Sequence, residues 1–64
     1  MPHPSPEIIL AVITTDLTRV SGGGAPIFRV ESQDELERVS LYLSRILEGA
    51  IHDLENGVYV IIGH

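Results

Sequence analysis

Three short apolar runs and one apolar stripe at helical spacing set out the elements of this chain. Glu7 to Thr15 (EIILAVITT) is rich in β-branched residues and too short for a good helix before the polar Thr-Thr-Asp stretch, which predicts a strand. Its alternate sets, Ile8, Leu10, Val12 and Ile9, Ala11, Ile13, are both apolar, so this strand is expected at the centre of a sheet with both faces covered. Ile27 to Glu31 predicts a second strand, with Phe28 and Val30 on one side and Ile27, Arg29 and Glu31 on the other. Its polar side and the proline at position 26 mark it as an edge. Val58 to Ile62 predicts a third strand, again apolar on both sides.

Between the second and third strands the period changes. Ser32-Gln33-Asp34-Glu35 matches the capping box, in which the serine hydroxyl and the glutamate carboxylate each take up an amide left over at a helix start. Leu36, Val39, Leu43, Ile46, Leu47, Ala50 and Leu54 then recur at three- and four-residue steps, predicting one long helix that stops at Asn56-Gly57. Gly49 is its weak point, since glycine inside a helix costs ~1 kcal/mol relative to alanine. Asp34 and Arg38, four residues apart, are expected to pair on its solvent side.

The resulting expectation is an α+β fold of order β-β-α-β. It has a three-stranded, mostly antiparallel sheet in the order 2-1-3 and one long helix on one face. The first two strands form a hairpin, and the strands flanking the helix run parallel. A single domain is expected over 7–64, behind a mobile proline-rich arm at 1–6, where prolines alternate and leave few amides for pairing. One helix shields one face, so the other face is expected to be bare and to be covered by association. The residues expected at that oligomer interface are Ile9, Ala11, Ile13, Tyr59 and Ile61, in a dimer or higher ring.

Composition sharpens this picture. A chain of 64 residues hides only about 60% of its unfolded surface on folding and needs some further support. With no cysteine there is no disulfide and no thiolate metal site, and His3, His52 and His64 show no metal-ligand spacing. No metal and no cofactor is therefore expected, and self-association is the remaining support. The net charge is −5, from nine acidic residues against four arginines and no lysine, which argues against nucleic acid or an anionic membrane surface as a partner. The longest apolar run, Ile8 to Ile13, is far below the ~20 residues of a membrane-spanning helix. Nothing at the N-terminus reads as a secretion signal, so a cytoplasmic location is expected.

Candidate chemistry is sparse. Ser21-Gly22-Gly23-Gly24 offers bare backbone amides that suit an anion, and Arg19 and Arg29 flank it. The run lacks the lysine of a P-loop and has no helix start behind it, and a plain turn is the commoner use of such a sequence. Thr14, Thr15, Asp16 and Thr18 cluster at a strand exit, where Asp16 is expected to bond its own backbone. His52 is expected at the helix C-terminus as a surface residue, and Tyr42 and Tyr59 as amphipathic packing residues. No nucleophile, paired carboxylate or metal cluster points to catalysis. The reading is a small homo-oligomeric module for protein interaction or regulation, the alternative being an oligomer that binds a small anionic ligand with the glycine loop at a subunit boundary.

Overall fold

The computed structural model describes residues 8 to 63; the proline-rich arm, His3 and His64 lie outside them. Four strands and one long helix follow in the order β1 (Ile8–Thr14), β2 (Ile27–Arg29), α1 (Gln33–Leu47), β3 (Ala50–Asp53) and β4 (Val58–Gly63). The fold is α+β, as the hydrophobic pattern predicts. The sheet runs β2-β1-β4-β3, with β1 parallel to β2 and antiparallel to β4, and β3 antiparallel to β4.

Three features depart from expectation. The helix ends at Leu47, well before the expected stop at Asn56-Gly57, and its predicted last turns are the strand β3. Glu48 takes a left-handed conformation (φ 55°, ψ 44°), and the Gly49 amide donates to the Ser44 carbonyl at 3.0 Å, the six-to-one bond of a Schellman ending. The reason lies at Gly49, where an added Cβ would stand 2.6 Å from Ile61 Cγ2 and 2.8 Å from the Ile62 carbonyl. The chain leaves the helix by passing directly against β4, and only glycine permits that approach. Asn56-Gly57, expected to stop a helix, instead turns the β3–β4 hairpin, with Gly57 at φ 86° and the Asn56 carboxamide accepting from the Val58 amide.

Secondly, β1 and β2 are not a hairpin. Val12 pairs with Ile27 and Thr14 with Arg29 in parallel register, so β2 and the final strand, which flank the helix segment, run antiparallel to each other. The connection from Thr15 to Pro26 is long enough for a parallel crossover, which needs about a dozen residues. It begins with a single 3-10 turn, Leu17–Arg19, capped by Asp16 as expected, and returns to the starting end of β1.

Thirdly, the final strand is not an edge. β3 covers it, so β1 and β4 are both central. The helix packs on one face, where Ala11, Ile13, Val30, Leu36 and Ile61 form a buried core against which Leu10, Val39, Leu43 and Tyr59 pack. A bulge between Ile9 and Ala11 in the pairing with β4 shifts the alternation of β1. Paired residues share a face, so Ile9 opposite Ile62, Val12 opposite Val60 and Thr14 opposite Val58 all turn away from the helix.

The capping box forms with a one-residue displacement. Ser32 Oγ accepts from the Glu35 amide at 3.1 Å, and the Glu35 carboxylate accepts from the amide of Glu31 rather than of Ser32, at 2.6 Å.

Candidate docking surface

The face away from the helix is partly roofed by this chain itself. The β1–β2 crossover runs over it and, with the sheet, frames a shallow hollow of about 550 Å³. Ile8, Ile9 and Val12 of β1 and Ile27 of β2 form its floor and side, and Ser21, Gly23, Gly24 and Ala25 form its rim. Gly24 holds φ 106°, a conformation that side-chain-bearing residues rarely adopt, so the triple glycine lets the crossover turn back into β2. Because β2 begins opposite Val12, the first half of β1 has no neighbour on that side, and Ile8 and Ile9 stay 52% and 48% exposed. Farther along the same face Val58, Val60 and Thr14 are buried. The expectation of a wholly bare face is thus corrected to a bare end of one.

The expected interface residues divide accordingly. Ala11, Ile13 and Ile61 are fully buried beneath α1 in the chain's own core, and Tyr59 packs half-buried beside them. The three fully buried residues cannot meet a partner without opening the fold. Ile9 alone of the five faces outward into the hollow. The alternation was legible in the sequence, but the choice of which set meets the helix was not, because both sets are apolar and the bulge at Leu10 leaves no mark in the pattern.

The residues expected to hold an anion are not brought together. Ser21, Gly23 and Gly24 line the hollow, while Gly22, Arg19 and Arg29 do not. Arg19 lies 3.9 Å from Asp16 and Arg29 2.9 Å from Glu31, so each guanidinium already has a carboxylate. Apart from Ser21 the lining is apolar side chains and glycine backbone with no charged residue, which suits an apolar side chain better than a charged group. His52 stands exposed on β3, opposite Val60, rather than at a helix end.

Two polar clusters have clear local causes. Asp16 Oδ1 accepts from the Thr18 hydroxyl at 2.7 Å and from the Thr18 amide at 2.9 Å, and these bonds, with a smaller contribution from Arg19, hold its carboxyl below the ordinary aspartate value. The Tyr59 hydroxyl accepts from Gln33 Nε2 at 3.2 Å, and partial desolvation, followed by the charges of Asp53 and Glu37, raises its pKa above the usual tyrosine value. The first set is local to the loop after β1, the second ties α1 to β4, and neither lines the hollow. Among the described residues no group of three histidine, aspartate or glutamate side chains is placed to hold a metal ion. Among them, too, no helix is long and apolar enough to cross a membrane.

A surface that is apolar, open and free of converging charged groups is the kind that takes up another protein. Sequence comparison agrees with that: a family described as "Capping complex subunit for YIEGIA" matches residues 6–64. The chain belongs to this family. A relative, the uncharacterized protein YpzH of Bacillus subtilis (strain 168), is 43% identical over 58 residues, which span 91% of this chain and 89% of the relative. No solved structure matches. The family description names a complex, and the small α+β chain described here is a protein-interaction subunit in kind.

β3 offers the chain a second way to meet a neighbour, one that the sequence pattern hid inside the helix. All four of its residues are exposed. The Leu54 amide donates to the Val58 carbonyl at 3.0 Å, so in the alternating antiparallel ladder His52 and Ala50 bond inward to β4, and the main-chain groups of Ile51 and Asp53 point outward. The β-branched isoleucine at 51 and the Asn-Gly turn are the signals that could have found this strand.

Proposed function

We propose that this chain is a non-catalytic subunit that caps the YIEGIA protein of its family's description, seating an apolar segment of that partner in the hollow beside the unpaired half of β1. The observation that carries the reading is the exposure of Ile8 and Ile9 on the stretch of β1 that pairs with β4 but has no strand on its β2 side. A large apolar side chain loses roughly 1.5–3 kcal/mol of favourable burial by staying in water, and two together on an open rim favour a covered state. The glycines at the rim leave the backbone accessible to whatever lies against it.

Co-expression of the two proteins tests this. A complex should survive size-exclusion chromatography, and Ile9→Asp should abolish it while leaving the circular dichroism and melting temperature of the isolated chain near those of the parent. Retention of the complex by Ile9→Asp would remove the hollow from the reading, and failure of the parent chains to associate would remove the capping function.

Self-association is favoured by a different observation, the outward main-chain groups of β3, which two copies can satisfy by antiparallel pairing of their edges. Sedimentation at micromolar concentration should then show a dimer that Ile51→Lys disrupts. A monomer at all concentrations would count against it.

A further inference from the structure

We infer that β3 pairs with β3 of a second copy about a twofold axis at His52, so that the two His52 imidazoles meet there and acid loosens the dimer. This rests on the self-association reading and goes beyond it in fixing the register and what controls it.

The register follows from the main-chain groups that Ile51 and Asp53 turn away from β4. In an antiparallel ladder such an outward residue pairs only with another, so a twofold axis can pass at Ile51, His52 or Asp53. An axis at Ile51 would pair Asp53 with Gly49, whose amide is already given to the Ser44 carbonyl at 3.0 Å. An axis at Asp53 would set two carboxylates directly opposite and pair Ile51 with Glu55, which holds a left-handed φ of 62° and lies outside the strand. At His52 neither objection arises. Ile51 of each copy exchanges amide and carbonyl bonds with Asp53 of the other, and every outward main-chain group of β3 gains a partner.

His52 pairs with Val60, which pairs with Val12, so its side chain stands on the face away from α1. At the axis it opposes its own counterpart in a non-hydrogen-bonded pair, where Cα atoms lie about 4.5 Å apart and side chains are closest. Along the same face Leu54 of one copy comes opposite Ala50 of the other. Leu54 is 52% exposed and Ala50 is exposed in the single chain, so the pairing gives apolar cover to both.

β3 packs against β4 and α1. On the face of His52, β4 presents Val58, Val60 and Ile62, and β1 beyond it Val12 and Thr14. Arg45 of α1, Asp53 and Tyr59 belong to the opposite face, and Glu48 and Glu55 lie past the two ends of β3. No carboxylate of these elements therefore stands between the two imidazoles to offset their repulsion once charged. An imidazole ordinarily takes up its proton at about pH 6.5, and like charges directly opposite across a ladder destabilise it. The sign is diagnostic. The chain carries −5 with an isoelectric point near 4.8, so net charge alone makes association easier as pH falls. The His52 pair makes it harder.

The test is sedimentation of the full chain between about pH 8 and about pH 5.5, with circular dichroism to show that the fold persists. The parent dimer should weaken roughly fivefold over that range, and His52→Gln should remove the loss. The register is read separately, in a chain that has no cysteine of its own. His52→Cys should oxidise at micromolar concentration to a covalent dimer, because the paired Cα atoms lie within disulfide reach, whereas Ile51→Cys should stay unlinked. A dimer that tightens or holds steady in acid, or one that links through Ile51→Cys and not His52→Cys, would overturn this inference and leave edge pairing standing. A monomer at every pH would overturn both.

Discussion

Single residues in this chain are constrained most tightly where two elements touch without room between them. Gly49 is the clearest case, since both a methyl group of Ile61 and the main chain of β4 lie within 3 Å of where a Cβ would go. Gly49→Ala should therefore destabilise the chain by about 1–3 kcal/mol, as overpacking does, and urea unfolding measures it. Ser40 is the opposite case. Its side chain is fully buried and its hydroxyl has no partner, so Ser40→Ala should be neutral or stabilising by up to ~1 kcal/mol, in the same assay. Asp16 offers a check by titration. Its folded value lies below the ordinary 3.8, so the stability it adds is present above that value and fades as pH falls through the lowered one. Thr18→Val should move the Asp16 carboxyl back toward 3.8, which carbon-13 titration of the side chain reads directly.

Elements were legible to different degrees, for reasons that are physical. The start of α1 was plain from Ser32 and Glu35, because a cap is a local chemical signal, and Ser32→Ala should cost about 1 kcal/mol in thermal or urea unfolding. The end of α1 was not, because Ala50 and Leu54 fit a helical stripe as well as they fit a strand, and the contact that ends the helix is tertiary. The pairing of β1 with β2 was misread as a hairpin because Gly22 to Gly24 suggests a tight turn, while the length from Thr15 to Pro26, which decides for a crossover, is a weaker signal. β1 and β4 were recognised as strands from their β-branched runs. Of the candidate site, Ile9 and the glycine rim were visible, whereas Ile8, Val12 and Ile27 join it only through the bulge and the parallel register. The arginines at 19 and 29 drew attention by their charge, and their own neighbours Asp16 and Glu31 account for them.

At the scale of the whole molecule, a small sheet with one helix and an incompletely covered face has limited stability of its own. Chains of this size have unfolding free energies of a few kcal/mol, and a partner that binds only the folded form adds RT ln(1 + [L]/Kd), about 2.7 kcal/mol at a hundredfold excess over Kd. The melting temperature of the isolated chain should accordingly rise by several degrees on addition of the proposed partner, in a concentration-dependent way that scanning fluorimetry follows. Absence of any shift at saturating partner would mean that no folded-state complex forms.

The place of β4 between β1 and β3 has a consequence for how the protein comes into being. The strand that comes last in the element order is the one on which the others depend, for without it β1 keeps only its short pairing with β2, and β3 has nothing to lie against. A nascent chain carrying everything up to Asn56 is therefore missing the middle of its sheet rather than a margin. Assembly awaits those closing residues, and shortened chains that lack them should be cleared by proteases rather than persist as partial folds.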